Sequence, residues 1–244
     1  MDDLPHIEVT ALSHRGALRD NNEDTIAVAG WVSDEEEMVA PRRSRHALPE
    51  PLLLAVADGM GGHVGGEVAS RYAAKRLAGG RVSANAGDLR KRLGMINAEL
   101  YETMKTVPSL LGMGTTVAGL VLSAQRVLWF NVGDSRIYRH RGRRLEQLSV
   151  DDVPPGPRSG FITQTLGGSP VFVPITPHIG EGDLVLPSRW LLCSDGLTDM
   201  VRDADIQRAL SARDEEAVHA LFAAAMRAGG ADNISIVLVS ASSE

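Results

Sequence analysis

Apolar residues recur along the chain with the two periods that distinguish strands from helices. Short apolar or alternating runs bounded by turn residues predict β-strands. One of these runs, residues 52–57, is apolar throughout, which is typical of a strand buried on both faces. The predicted strands are 6–12, 25–31, 52–57, 115–122, 126–132, 135–140, 143–148, 172–175, 183–186, 190–194 and 234–239.

Helical spacing is clearest from Asp88 onward, where apolar residues recur every three or four positions until Pro108 and Gly112 end the helix. Further helices are predicted at 67–77, 203–210 and 214–228. Groups of strands beside groups of helices predict an α+β layered sandwich. No internal repeat or linker divides the 244 residues, so the chain is expected to form one domain, 1–244.

Two segments lack either period. Residues 33–51 carry four consecutive acidic residues from Asp34, then several arginines and prolines, and are predicted to form an exposed loop or hairpin tip. A solvated excursion is favoured there over a binding arm. Residues 150–160 are rich in proline and glycine and are also predicted to be a loop.

Composition narrows the classes of protein. A formal net charge of −6 argues against binding to nucleic acid or to an anionic membrane through a general basic surface. The single cysteine, Cys193, excludes an internal disulfide and fits a reducing compartment; its apolar neighbours indicate a buried packing thiol. No apolar stretch approaches the ~20 residues of a membrane span, and the N-terminus lacks a secretory apolar core. A cytoplasmic location is expected.

Acidic residues occur where apolar strands end. Asp58 and Asp195 directly follow apolar runs, and Asp232 precedes the last one. If such strand ends converge, their carboxylates repel unless divalent cations neutralise them, and Mg²⁺ and Mn²⁺ favour oxygen ligands. Each motif alone is also an ordinary turn signal, but turns alone explain poorly why the aspartates abut strands.

The sequence around Asp58 suits a bridging ligand. Gly59, Gly61 and Gly62 allow the backbone to turn sharply and to expose both carboxylate oxygens and a carbonyl. Such a carboxylate can bridge two cations that together lower the pKa of a water and clamp a phosphoryl oxygen. Asp195 and Asp232, from other strands, would complete the coordination.

The chain resembles the PPM/PP2C family of metal-dependent serine/threonine phosphatases, and its bacterial branch in particular. The resemblance spans nearly the whole sequence and rests on six motifs in the family's order. They are Arg19 with Asn22-Glu23-Asp24, Asp58-Gly59-Met60-Gly61-Gly62-His63, Gly114-Thr115-Thr116, Gly133-Asp134-Ser135-Arg136, Ser194-Asp195-Gly196-Leu197 and Asp232-Asn233.

The resemblance implies a fold and a set of roles. The family fold is a central antiparallel β-sandwich with helices on both sides, four layers in the order α/β/β/α. Asp58 would bridge two Mn²⁺ or Mg²⁺ ions, and the Gly59 carbonyl would bind one of them. Asp195 and Asp232 would hold the second ion, and Asp24 and Glu23 would anchor metal-bound waters. Arg19 would bind the substrate phosphate. Asp134 with Asp195 would support a weaker third metal.

The implied reaction is direct attack of a metal-bound water on phosphoserine or phosphothreonine of a protein. Asp199 stands six residues after Cys193 where a cysteine phosphatase needs arginine, so a covalent cysteine mechanism is excluded. His63 could donate a proton to the leaving group, although a partly exposed turn residue is the favoured interpretation. The other six histidines show no paired spacing for zinc.

One departure from the family pattern concerns the flap beside the metals. The segment at about 150–161 is too short for the long, partly helical flap of bacterial members, and its prolines predict a stiff loop. The shortening puts the third metal in question. It also suggests an open face that accepts a folded phosphoprotein rather than a short peptide. Short-flap enzymes that this chain resembles include those beside type VI secretion kinases, where phosphothreonine on a forkhead-associated protein is removed.

Two other functions remain open from the sequence. A catalytically silent module could bind phosphoproteins or sense metal, although a silent relative would be free to lose Asp58, Asp195 or Asp232. A stress-response phosphatase acting on the phosphoserine of an anti-sigma antagonist would differ only in its partner. The leading expectation is a monomeric phosphatase that opposes a bacterial Ser/Thr kinase, with no nucleic-acid or membrane partner.

Overall fold

The computed structural model describes residues 5–33, 35–60, 65–156 and 161–243. Within these residues the chain forms two packed β-sheets, and every recorded strand pairing is antiparallel. No helix in the described part of the chain is both long and apolar enough to cross a bilayer.

The first sheet has six strands in the order β10-β9-β13-β14-β1-β4. Its longest pairing joins the first and last strands of the chain, with His6 opposite Ser242 and His14 opposite Ile234. The N- and C-terminal parts of the chain are thereby joined. The bounds are β1 His6–His14, β4 Arg42–Ala47, β9 Arg136–Arg141, β10 Arg144–Gln147, β13 Ser188–Cys193 and β14 Ile234–Ser242.

The second sheet has eight strands, with β11-β6-β5-β7-β8-β12 as its main path and β2 and β3 attached beside β5. The fully apolar run predicted as a buried strand becomes its centre, since β5 is paired with β2 on one side and β7 on the other. The bounds are β2 Asp24–Val28, β3 Trp31–Val32, β5 Leu52–Met60, β6 Gly114–Thr115, β7 Val117–Leu122, β8 Arg126–Val132, β11 Leu166–Gly167 and β12 His178–Asp183.

Three apolar clusters correspond to the three interfaces of a four-layer molecule. One lies between the sheets and includes Ile7, Leu54 and Trp190. A second packs two helices onto the eight-stranded sheet, and a third packs three helices onto the six-stranded sheet. The predicted α/β/β/α sandwich is therefore confirmed. The helices are α1 Gly65–Ala78, α2 Ala86–Thr106, α3 Asp195–Thr198, α4 Asp203–Ala209 and α5 Asp214–Arg227.

The expectation of an exposed loop at about 33–51 is wrong for residues 42–47, which form the edge strand β4 against β1. Met38 and Leu48, on either side of this strand, are buried. Arginines project from both faces of β4, so the alternation that signals a half-buried strand is missing. Charged side chains are a common way of protecting a sheet edge from unwanted pairing.

The prediction of strands at 172–175 and 183–186 is also wrong. No strand is present at 172–175, and the neighbouring strand is β12, His178–Asp183. Two glycines, Gly180 and Gly182, deprive β12 of the apolar alternation that would predict a strand. Gly180 leaves room for the Trp129 ring, which lies 2.2 Å from where a β-carbon on Gly180 would stand. The strand is thus fixed by an aromatic side chain lying across it rather than by its own pattern.

The shortened flap lies between β10 and β11. Its described residues, 148–156 and 161–165, contain no helix, as expected from its prolines. Asp152 closes the base of this loop: its carbonyl accepts the Thr163 amide at 2.7 Å, and its carboxylate accepts the Gln164 side-chain amide at 2.9 Å. The His178 ring lies 2.9 Å from the other carboxylate oxygen. The flap therefore begins and ends at one fixed point.

Candidate functional site

Asp24 and Asp58 lie directly opposite each other on neighbouring strands. They are register partners of β2 and β5, where both strands reach the same end of the eight-stranded sheet. Residues directly opposite in an antiparallel pair project to the same face with β-carbons about 5 Å apart. The fold therefore brings together two carboxylates that are 34 residues apart in the chain, counting from 24 to 58.

The backbone of Asp58 is held from the neighbouring Gly114-Thr115-Thr116 segment. Thr116 donates its amide to the Asp58 carbonyl at 2.8 Å, and the Thr115 hydroxyl donates to the same oxygen at 2.9 Å. The Thr116 hydroxyl is also bonded to Ser135 at 2.8 Å. These bonds tie the turn that carries Asp134 to the strand that carries Asp58.

Asp195 and Asp232 come from the other sheet. Asp195 begins the short helix α3 directly after β13, and Asp232 stands just before β14. Gly196 makes their approach possible, since a β-carbon there would lie 2.0 Å from the Asn233 carbonyl and 3.4 Å from the Asp232 β-carbon. The glycine of the Ser-Asp-Gly-Leu motif is thus required by close packing as well as by the turn.

Ser194 joins the two sheets at this end of the sandwich. It is fully buried, and its hydroxyl donates to Asp24 Oδ2 at 2.7 Å while accepting the Ser235 amide at 3.0 Å. A polar residue at the end of an apolar strand was the available signal for this role. In the sequence Ser194 is visible only as part of a motif, and its contact with Asp24 is apparent only in the structure.

Asn233 fixes the loop that carries Arg19. Its side-chain amide donates to the carbonyls of Arg15 at 3.0 Å and Asn21 at 2.9 Å, and its side-chain oxygen accepts the Glu23 amide at 2.8 Å. Arg19 itself is exposed and donates to Asp232 Oδ2 at 2.6 Å. The arginine predicted to bind phosphate therefore lies beside the acidic cluster, in contact with one of the predicted metal ligands.

Glu23 and Gly59 lie against the start of α1. A β-carbon on Gly66 would meet the Glu23 carboxylate at 2.0 Å, and one on Gly59 would meet the Gly66 carbonyl at 2.3 Å. The Gly59 amide donates to the Glu23 carbonyl at 3.2 Å. Burial raises the pKa of the Glu23 carboxyl. His63, the candidate proton donor, lies outside the described residues.

The acids form one electrostatic unit. Burial raises the pKa of Asp58 well above its usual range, and repulsion from Asp24, Asp195, Asp232 and Asp134 raises it further. Burial also raises the pKa of Asp24 to about 7, with Asp195 and Asp232 adding to the shift and the Ser194 hydroxyl opposing it. The five aspartates predicted from separate motifs therefore share one electrostatic environment around Asp58.

The donor set fits hard cations. Asp24 Oδ1 is buried and has no hydrogen-bond partner within the described residues, so it is free to accept one from a bound water. The like charges around Asp58 are the arrangement that divalent ions stabilise. As they stand, no three His, Cys, Asp or Glu side chains of the described residues enclose a single point closely enough to hold an ion. Asp232 is engaged by Arg19 and Asp24 by Ser194.

Cys193 and Asp203, two residues outside the acidic cluster, have structural roles. Cys193 is fully buried, and burial raises the pKa of its thiol to about 12, which confirms a packing thiol rather than a nucleophile. Asp203 begins α4, where an acidic residue favours the helix dipole, and it also accepts a hydrogen bond from the Tyr138 hydroxyl at 3.0 Å.

Comparisons with known proteins agree with this geometry. A model of the protein phosphatase 2C family matches residues 44–238. The serine/threonine protein phosphatase PstP of Mycobacterium tuberculosis is 33% identical over 253 residues, which cover 95% of this chain and 44% of PstP. This chain thus matches less than half the length of that relative.

Solved structures show the same fold. The PstP catalytic domain in complex with two manganese ions superimposes with a TM-score of 0.77 at 31% identity, covering 98% of this chain and 99% of that one. PppA, described as a key regulatory component of T6SS in Pseudomonas aeruginosa, gives a TM-score of 0.79 at 26% identity over 98% of this chain and 100% of its own. On the strength of the family match and the relative with one-third identity, this chain belongs to the protein phosphatase 2C family.

Proposed function

We propose that this protein is a metal-dependent phosphatase that hydrolyses phosphoserine or phosphothreonine on proteins. The observation that carries the proposal is the convergence of Asp24, Asp58, Asp195 and Asp232 into one electrostatic cluster at a common end of both sheets. Family membership supports the same reaction, and the manganese complex of PstP supports the choice of cation.

In this proposal two Mn²⁺ or Mg²⁺ ions would share Asp58; the Gly59 carbonyl would help to hold one of them, and Asp195 and Asp232 would hold the other. When bound, the ions would supply a water of lowered pKa and offset the charge of the phosphoryl group. Asp24 and Glu23 would anchor the waters of this site. Their low exposure and raised pKa values suit groups that orient water within a crowded acidic site.

Arg19 is proposed to bind the substrate phosphate. Its guanidinium is exposed, lies beside the cluster and already forms a charge-assisted bond with Asp232 Oδ2. Cation binding at Asp232 would compete for that oxygen and leave guanidinium donors for a phosphoryl group, which a planar guanidinium suits. A third, weaker cation would depend on Asp134 with Asp195, since Asp134 lies on a turn tied to Asp58 through Thr116.

Turnover of p-nitrophenyl phosphate with Mn²⁺ tests the activity directly. The wild-type chain should hydrolyse it, and Asp58→Asn should reduce the rate at least about a thousandfold, because several kcal/mol of charge stabilisation are lost. Wild-type turnover no higher than that of the variant would refute the enzyme and favour a catalytically silent module that binds phosphoproteins or senses metal.

The shortened flap motivates a second part of the proposal, that the active-site face is open enough for a folded phosphoprotein. The loop is closed at its base by Asp152 and its described part contains no helix. Rates on an intact phosphothreonine protein and on its isolated phosphopeptide would separate the two cases. Equal kcat/KM on both would contradict the open face.

The biological setting is a separate part of the proposal. We infer a cytoplasmic monomer that opposes a bacterial Ser/Thr kinase, and the similarity to PppA favours control of type VI secretion. A stress-response role on the phosphoserine of an anti-sigma antagonist is the alternative. Purified kinase substrates of the two kinds would distinguish them, since a phosphothreonine substrate should be preferred in the first case and a phosphoserine substrate in the second.

A further inference from the structure

The loop after β11 exposes three consecutive large apolar side chains. Val171 is 68% exposed, Phe172 57% and Val173 48%. Single exposed apolar residues are ordinary on a protein surface, but a continuous run of three is not. We call Val171, Phe172 and Val173 the apolar loop patch.

Helix α2 holds the patch in place from below. Asn97, which is buried, donates its side-chain amide to the Val173 carbonyl at 2.9 Å and accepts the Gly167 amide at 2.8 Å. The Tyr101 hydroxyl donates to the Gly167 carbonyl at 3.0 Å, and its ring meets the Phe172 ring edge-on with centroids 5.1 Å apart. The exposed side chains are therefore presented by an anchored backbone, which lowers the entropy cost of binding through them.

The same loop starts at the edge of the candidate active site. Met60, two residues after Asp58, is paired with Gly114, and Gly114 is paired with Gly167. Two strand spacings separate the backbones of Met60 and Gly167 by about 10 Å. Gly167 and Gly168 both have left-handed backbones, with φ of 71° and 78°, and they turn the chain directly into the loop.

The number of residues between Gly167 and the patch limits the distance from the patch to the candidate active site. Val171 lies four positions after Gly167, and an extended chain covers at most about 3.6 Å per residue. Val171 therefore lies within roughly 24 Å of the Met60 backbone. An extended substrate segment of about seven residues spans the same distance.

We propose that the apolar loop patch is a docking site for the phosphoprotein substrate and recognises apolar residues about five to seven positions from the phosphorylated residue. A protein substrate whose phosphoryl group reaches Asp58 has flanking residues within reach of the patch, so the substrate is the partner to which we assign it. The inference rests on the proposed phosphatase activity and on the assigned position of its active site. It adds a specificity determinant outside the acidic cluster.

Two synthetic phosphothreonine peptides test the proposal. One carries leucine and valine five to seven residues on both sides of the phosphothreonine, and the other carries serine at those positions. The wild-type protein should show a kcat/KM about tenfold higher for the apolar peptide, mainly through KM, because a buried aromatic contact contributes about that much to binding. Phe172→Ser and Val171→Ser should remove the difference, and Phe172→Leu should retain most of it.

Val185→Ser is the matched control. Val185 is 45% exposed and lies just after β12, near the pairing of Asp183 with Arg126, where β8 begins at the opposite end of the sheet from Asp58. This variant should keep the preference for the apolar peptide. Hydrolysis of p-nitrophenyl phosphate, which cannot reach the patch, should be unchanged in all these variants.

The outcomes separate the two levels of inference. If p-nitrophenyl phosphate is hydrolysed but the wild type treats both peptides alike, the docking site is refuted and the phosphatase stands. The same conclusion follows if Phe172→Ser keeps the full preference. If no substrate is turned over by the wild type, the proposed activity is refuted, and direct binding of the two peptides then decides the patch: equal affinity overturns it, and tighter, Phe172-dependent binding of the apolar peptide supports it.

Discussion

Two clusters of charged residues are built on opposite principles. One surrounds Arg136 at the start of β9, and the other surrounds Asp58 near the end of β5. Around Arg136 each charge has a partner: the guanidinium donates to the Asp151 carboxylate at 2.9 and 2.6 Å and to the Tyr138 hydroxyl at 3.0 Å. Tyr138 in turn donates to Asp203. Around Asp58 the neighbours are other acids, and burial together with their repulsion raises its pKa well above the usual range.

The difference separates a group that stabilises the fold from a group that strains it. The Arg136 network joins β9, the start of the flap and α4, and breaking a buried pair leaves an uncompensated charge. The acidic cluster costs stability unless its charge is cancelled by protons or cations. Strongly shifted carboxyl pKa values in one cluster are typical of functional sites.

The largest expected effect is the loss of turnover when a carboxylate of the acidic cluster is removed. Asp195→Asn and Asp232→Asn should each reduce Mn²⁺-dependent turnover by about a thousandfold or more, since each removes a proposed metal ligand. The metal-free fold should be as stable as the wild type or slightly more so, because one repelling charge is gone. Steady-state rates and thermal melts without metal measure both effects. Near-normal turnover in either variant would contradict the assigned site.

Substitutions in the Arg136 network should have the opposite effect, a loss of stability. Arg136→Ala should lower the free energy of unfolding by about 3 kcal/mol, because Asp151 then remains buried without its partner. Urea unfolding measures the loss. The double variant Arg136→Met with Asp151→Leu should recover part of it, since no buried charge remains. A single variant that loses turnover per folded molecule while keeping its stability would show that this network belongs to the site instead.

A pH series without metal distinguishes the clusters further. The pKa of Asp24 is raised to about 7 from 3.8, so the folded protein holds a proton that the unfolded chain releases between these values. Stability from this group is therefore fully present below pH 3.8 and is lost as pH rises toward about 7, by about 4 kcal/mol. Unfolding at pH 5 and pH 7.5 tests this.

Asp24→Asn is the control for that series. The variant should show a flatter stability profile between the two pH values, because the titrating group is gone, and Mn²⁺ should restore the wild type more than the variant at pH 7.5. Identical pH profiles for the two proteins would mean that Asp24 is not part of the strained cluster.

The smallest expected effect concerns Arg19, whose guanidinium lies beside the acids. Arg19→Ala should raise KM about tenfold with a smaller change in kcat, since an exposed charge-assisted contact to phosphate is lost. Arg19→Lys should recover part of the affinity but not the planar, two-donor contact. An effect confined to kcat at saturating substrate would refute the phosphate-binding role.

The sequence by itself determined the elements whose pattern is local. The apolar run of β5, the helical spacing of α2 and the acidic strand ends were all visible, and the family resemblance assigned the layered sandwich and its site residues. The strand and helix signals arise because burial of one face requires apolar residues to recur with a period of two in strands and about 3.6 in helices. The motifs also identified all five aspartates that share the electrostatic cluster.

Tertiary structure alone decided what depends on partners far away in the chain. Strand β4 is fixed by its pairing with β1, although it carries arginines on both faces and no apolar alternation. Strand β12 is fixed by Trp129 across its glycines, and Ser194 and Asn233 take their roles from contacts with Asp24 and with the Arg19 loop. Such contacts leave no period in the sequence, because a hydrogen bond or a close approach needs only one residue at one place. For that reason the chain revealed which side chains form the site but not which residues hold them together.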